Sequence, residues 1–518
     1  MSTARRFSQR FCDVLRPFLI PALCSMTLMP VLITSASAGV QKAVGQSTDV
    51  SQILEEAGAI VDVIPDHGEV EEHYPVRRWK VEFFSDLARI QAKAGDRKGL
   101  SKSAQQAVKS AQRSPFLILT LSTIARTQID SGDRVGADAT LKEMLLAAEA
   151  IDTLSGVVNK EGLKDSALSL TASIQSGVEG AQQVRNTIDG IKDDRERADA
   201  QINLASALVK GGDRNGASTL LRQVMQQAQD LRDADDRAWL LVQVAEVQVG
   251  AGDRIDALRM VAQLQDAIRV VEDNMDRSSL LLRMARVQTA MGDLDVAQDS
   301  FAGALRAAHA ITSDSGRIEQ FGYLAMSRDR AGDHTSVLAM LQDALNIANG
   351  ITDPSSKSDN LQRIASNYAS LGENSRAEEI VTQALNVAGQ IESASSRSFA
   401  VFEIAFVLSQ LGDADGLHRA IGMLKVGDNS TPYVLSELVR AEAGQGDIDP
   451  AIQTNETLRN MQKIVQASAG VQWITAARVR RDGVPAALAW AKGRSSPYDR
   501  ARALLGVAQG IMENNGKK

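Results

Sequence analysis

Cysteine is nearly absent. The 518 residues hold two, Cys12 and Cys24. Both fall in an N-terminal leader, so the rest of the chain can make no disulfide, thiol nucleophile or thiolate metal site. Aromatic residues are only 4% and prolines number 11. β-rich proteins draw on aromatic and β-branched side chains, so this scarcity points to helices packed through Ala and Leu. A surplus of positive charge is missing too: 57 Lys and Arg face 64 Asp and Glu, a formal net charge of -7. Nucleic acid is therefore a poor candidate partner, because neutralising phosphates requires excess Lys and Arg. With 44% hydrophobic and 23% charged residues, the chain reads neither as disordered nor as polytopic in a membrane.

The first 38 residues read as an export signal. Arg5, Arg6, Arg10 and Arg16 are followed by an apolar stretch over 18–33 and by Ala36-Ser37-Ala38 at a cleavage site. The mature N-terminus is expected at Gly39, after cleavage behind Ala38. Three rivals fit less well. Leu23 before Cys24 suits a lipoprotein badly, Phe7 sits one place early for twin-arginine export, and Pro21 and Pro30 interrupt a membrane anchor. The compartment expected is periplasmic or secreted, with no stable membrane insertion after cleavage.

What the chain has in abundance is self-similarity. Gly-Asp recurs at Gly95, Gly132, Gly212, Gly252, Gly292, Gly332, Gly412 and Gly446, and Gly372-Glu373 fills the one gap. From Gly212 to Gly412 every step is 40 residues. Alanine stands seven residues before these glycines, as Ala205, Ala245, Ala285, Ala325, Ala365 and Ala405. A large aliphatic precedes each alanine. The spacings of Leu241, Val244, Ala245 and then of Ala257, Val261, Leu264, Ile268 are helical seams on both sides of the glycine. Glycine can leave the first helix through the left-handed region, and the Asp can cap the second. Such a hairpin cannot bury its apolar face alone, so neighbours must stack into an all-α solenoid of antiparallel hairpins. Ten or eleven hairpins with no sheet are expected.

The order aliphatic-Ala, Gly-Asp, Ala, then a bulky residue at Leu221, Val261, Phe301, Leu341 or Val381 resembles the tetratricopeptide repeat. The resemblance covers 77–426. It implies a right-handed superhelix whose first helices line a groove for protein or peptide partners. Two departures stand out: the family unit is about 34 residues, and Gln91, Gln128, Gln248 and Gln288 sit where the family favours an aromatic. Groove positions carried over by the resemblance include Arg89, Arg126, Trp239 and Arg286. Phe399, Phe402 and Phe406 fall on successive groove positions of one helix. They are candidates for a partner site, but irregular C-terminal units folding over them is the expected explanation.

Residues 39–76 read as a flexible lead-in, and 427–518 as degenerate repeats ending in a cap with Arg500 and Arg502 facing outward. A basic column, Arg197, Arg237, Arg277, Arg317, Lys357 and Arg397, repeats every 40 residues. Salt bridges to Asp193, Asp233, Asp273 and Asp353 are its expected use, in preference to an anion-binding stripe. The Gly-Asp carboxylates are too scattered to converge on calcium, and His67 with His73 reads as part of an acidic linker rather than a metal site. No phosphate loop, dinucleotide fingerprint or nucleophile elbow occurs. The expectation is a non-enzymatic scaffold without cofactor or metal. A glycan-binding or accessory subunit of a cell-envelope machine is the alternative, weakened by only four Trp and five Tyr.

Overall fold

A computed structural model describes residues 49–515, apart from 72–73, 112–113, 115–116, 155–158, 179, 232, 331 and 426–427. The leader, its cleavage site at Ala38–Gly39 and His73 lie outside the described residues. Twenty-four α-helices fill most of the rest, with one two-stranded antiparallel ribbon, Glu69–Glu71 with Tyr74–Pro75. The ribbon departs from the sheet-free expectation. It sits just before the first repeat, where Gly68 adopts φ 91° and turns the chain. None of the described helices is long and apolar enough to cross a membrane.

The turns explain the period. At all nine Gly-Asp or Gly-Glu positions the glycine is left-handed, with φ between 75° and 94°. At Gly95 the glycine N–H donates to the Ala92 carbonyl and the Asp96 N–H to the Gln91 carbonyl, the paired C-terminal bonds of a Schellman turn. The same aspartate then starts the next helix: its Oδ1 accepts the Gly99 N–H at 2.8 Å. Asp133, Asp213, Asp253, Asp333 and Asp413 repeat this N-cap. Asp293 does not cap with its side chain and instead takes Arg254 at 2.5 Å. One residue thus satisfies open backbone groups of two helices, which is why the dipeptide keeps register.

The chain falls into two compact units: the part up to Glu196 together with the stretch from Asn455, and Arg197–Thr454. These boundaries differ from the expected breaks at 76 and 426. In the second unit the hairpins follow in sequence: α1 (Ala234–Gly250) with α2 (Arg254–Val270), α3 (Asn274–Met291) with α4 (Leu294–His309), α5 (Asp314–Asp329) with α6 (His334–Gly350), α7 (Pro354–Ser370) with α8 (Asn374–Ala388), and α9 (Ala394–Leu411) with α10 (Ala414–Gly422), followed by α11 (Thr431–Gln445). Each first helix packs on its own second helix and on the next first helix. The alanines and aliphatics of the repeat form a shared core that includes Phe321, Leu324, Ala325, Leu361, Ile364, Ala365, Ile404 and Ala405. This unit is a stack of tetratricopeptide-like hairpins.

The first unit contains a pairing of a different kind. Helix α12 (Val50–Asp62) lies in the supposed lead-in, and Leu54, Ala57 and Val61 on it are fully buried. Its main partner is the C-terminal helix α13 (Pro497–Asn515). It therefore stands where the second helix of a final hairpin would stand. Helix α14 (Ile464–Asp482) supports α13 from another side, across Gly506 and Gly510. A Cβ on Gly506 would lie 2.2 Å from the Gln472 carbonyl oxygen, so glycine permits this close approach. Arg502 does not face solvent as expected of a cap. It is 7% exposed, bonds Asp86 at 2.6 Å and Gln472 at 3.2 Å, and lies over the rings of Trp79 and Phe83. Trp79 also meets Tyr498 edge-on at 4.8 Å. Within the lead-in, Val50–Asp62 is helical because its apolar face is covered by Pro497–Asn515.

Candidate functional site

The first-helix face of the second unit presents three side-chain columns, 13, nine and six residues before each glycine. Trp239, Ser279, Glu319, Asp359 and Phe399 form one, Gln243, Arg283, Tyr323, Arg363 and Glu403 the next, and Glu246, Arg286, Met326, Ser366 and Phe406 the third. None of them is fully buried, while their helix neighbours Val244, Ala245, Ala325, Ala365, Ile404 and Ala405 are. The reason is the helical period. Positions at these offsets share one stripe, and the alanine seam occupies the stripe that packs.

Trp239 is brought together with Arg283, whose guanidinium lies 5.3 Å from the ring centre. That guanidinium also grips Glu246 through both nitrogens, Nε at 3.0 Å and Nη2 by a shorter contact. Arg286, three residues on along the same helix, is exposed. Further along, the Tyr323 hydroxyl donates to Glu319 at 2.9 Å and Arg363 Nη2 donates to Asp359 at 3.2 Å. The face carries fixed charge of both signs, aromatic rings and a thioether.

At the far end, Phe402 meets Phe406 at 5.0 Å and Tyr433 of α11 at 5.7 Å, both edge-to-face. Phe399 remains 55% exposed. Of the three phenylalanines, Phe402 is the one that meets a ring of the C-terminal units, and Phe406 meets Phe402 on its own helix. Glu403, one helical turn from Phe399, has no hydrogen bond or ion pair with another described residue. Its half-burial and then the negative charge of Asp359 raise its carboxyl above the ordinary range, while Arg363 pulls it down.

The remaining expected residues lie elsewhere. Arg89 is in the first unit and is tied to Asp86 at 2.8 Å. Arg126, also there, is exposed. Arg237, Arg277, Lys357 and Arg397 of the basic column do not bridge to the residues four earlier, and Arg317 pairs with Asp314 instead. Asp193, Asp233, Asp273 and Asp353 are N-caps, and the cations reach back to close the preceding helix. Arg237, Arg277 and Arg397 donate to the carbonyls of Leu231, Val271 and Ile391, and Lys357 to that of Asn349. A cation beside the open carbonyls of a helix C-terminus is favourable, so these four need no carboxylate. His309 stacks edge-on against Phe321, His334 sits between Asp329 and Glu373, and His418 faces Glu442. Among the described residues no group of three or more His, Cys, Asp or Glu is placed to hold a metal ion.

Arg283, Tyr323, Arg363 and Glu403 were missed by sequence reasoning. They recur at 40-residue spacing, and that register was the available signal. It carried no single residue type and so did not stand out beside the glycines.

No protein-family model and no curated protein matches the chain. Several solved structures resemble it. Ton1535 of Thermococcus onnurineus is 13% identical, over 74% of this chain and 98% of its own, with a TM-score of 0.25. A STAND ATPase with a tetratricopeptide repeat sensor from Pyrococcus horikoshii is 12% identical, over 73% and 53%, at 0.29. Aspartyl phosphate phosphatase F of Bacillus subtilis is 12% identical, over 71% and 95%, at 0.25. Likenesses this loose transfer no ligand or activity, and the fold rests on the turns and packing of the chain itself.

Proposed function

We propose that the protein is a non-enzymatic scaffold, exported by its N-terminal signal, that binds an extended segment of a partner protein along the first-helix face of Arg197–Thr454. The observation that carries this reading is the part-exposed stripe of Trp239, Arg283, Arg286, Tyr323, Met326 and Phe399, repeated in register on successive helices. A chain laid across stacked helices meets these side chains at regular intervals, so affinity accumulates from modest contacts. Cations such as Arg286 discriminate by charge, and Trp239 and Phe399 provide apolar anchoring.

A photo-crosslinking amino acid at Arg286 should trap a discrete partner in cells, whereas the same group at Ser218 on a second helix should not. Arg286→Glu should remove a crosslink formed from Met326. Equal crosslinking from both faces would overturn the reading. Export is tested by intact mass: the exported chain should begin at Gly39, and a retained Met1 or a lipid on Cys24 would contradict it.

A further inference from the structure

The end of the face formed by α7 and α9 is built differently from its middle. Further back, Arg283 is answered by Glu246, Glu319 by the Tyr323 hydroxyl and Arg363 by Asp359, while Arg286 is exposed to solvent. Glu403 alone of the three columns' carboxylates has no hydrogen-bonding partner among the described residues. Placing a carboxylate half out of water without a partner is unfavourable. Among the described residues the cation that acts on it is Arg363, which is engaged with Asp359. Its neighbours along the helix are aromatic. Phe399 and Phe402 lie four residues and one residue before Glu403, and Phe406 lies three after it. Phe402 is held edge-on by both Phe406 and Tyr433, which fixes the cluster, and Phe399 is left open to solvent.

We propose that Phe399, Phe406 and Glu403 recognise a basic side chain, Lys or Arg, of the partner polypeptide. Ring faces attract a cation through their quadrupole and shed little water in doing so. The carboxylate provides a charge-assisted hydrogen bond, and it is the uncompensated charge there, because Asp359 is already paired with Arg363. The long alkyl stem of Lys or Arg would lie along Phe399 and cover its exposed surface. An acidic partner segment would be repelled here, and a purely apolar one would leave Glu403 unanswered and further desolvated. The inference rests on the scaffold reading above and names the chemistry of one of its contacts.

The test uses the full chain carrying 4-fluorophenylalanine at position 399 and the peptide acetyl-Leu-Leu-Arg-Leu-Leu-amide. Its counterpart has citrulline in place of arginine, which keeps the shape and removes the charge. The arginine peptide should shift the fluorine resonance saturably, and the citrulline peptide should bind about tenfold more weakly. Glu403→Gln should reduce the preference to about twofold without lowering the melting temperature, and Phe399→Leu should weaken arginine binding several-fold. Equal binding of the two peptides, or a preference that survives Glu403→Gln, would overturn the proposal. So would dimerisation through Phe399 that excludes both peptides, since the occupant would then be a second copy of this chain. Loss of the crosslink at Arg286 with the arginine preference intact would instead count against the scaffold reading alone.

Discussion

The two units solve one problem in two ways. A helical hairpin has an apolar face to cover, and in Arg197–Thr454 each is covered by the next hairpin in sequence. In the other unit, the first helix of the last hairpin is Pro497–Asn515 and the helix that covers it is Val50–Asp62. Asp86 and Arg502, 416 residues apart, are locked together beside it. The contrast shows that a repeat need not be contiguous to be complete. It also shows that a terminal helix which reads as a polar cap can be an interior element once its partner is found.

The largest expected effect strikes the composite repeat. Gly506→Val would drive a branched side chain into the Gln472 carbonyl and Thr475, costing about 3 kcal/mol or more. Gly422→Ala in the contiguous unit, with nothing within 4 Å of the added carbon, should be neutral or slightly stabilising. Thermal melts of both variants make the comparison, and equal losses would erase it. Next comes the repeat turn: Gly292→Val places a β-branched residue at φ 84° and should cost about 1–3 kcal/mol. Denaturant midpoints check this. Arg502→Met should cost about 1–2 kcal/mol, less than a fully buried ion pair because Asp86 keeps some solvent. Glu56→Gln, which removes only the surface contact to Lys492, should cost almost nothing.

The smallest effect has the opposite sign. Because the folded-state pKa of Glu403 is raised, its charge opposes folding at neutral pH. That penalty is relieved as the pH falls from the raised value toward the ordinary glutamate value of about 4.5. Glu403→Gln should therefore melt slightly above the parent at pH 7, with the gap closing by pH 4.5. A variant that melts lower at pH 7 would show that the carboxylate has a partner after all.

The hairpins were legible because their determinants are local. Gly292 must be left-handed and Asp253 must reach only three residues ahead, so both follow from short spacings. The stacking order followed from the 40-residue step. The Val50–Asp62 helix was not legible as part of the array. It lacks a Gly-Asp turn, because the loop to its partner does not exist in the chain, and no periodicity links residue 54 to residue 505. The basic column failed for a smaller reason. Arg237 and Asp233 are four apart and look like an ion pair, but Asp233 is already used as a helix cap by the Asp235 and Asp236 N–H groups. On the candidate site, Trp239 and Phe399 were named through the groove positions that the tetratricopeptide resemblance implies. The Arg283 and Glu403 column stayed hidden because its chemistry changes from repeat to repeat.

The most direct test is amide hydrogen exchange on the full chain and on a version ending at Ser496. If the last hairpin is completed by the N-terminal helix, removing Pro497–Asn515 should strip protection from Val50–Asp62 while Ile404, Ala405 and their neighbours exchange as slowly as before. Undiminished protection across Val50–Asp62 in the shortened chain would contradict the composite repeat.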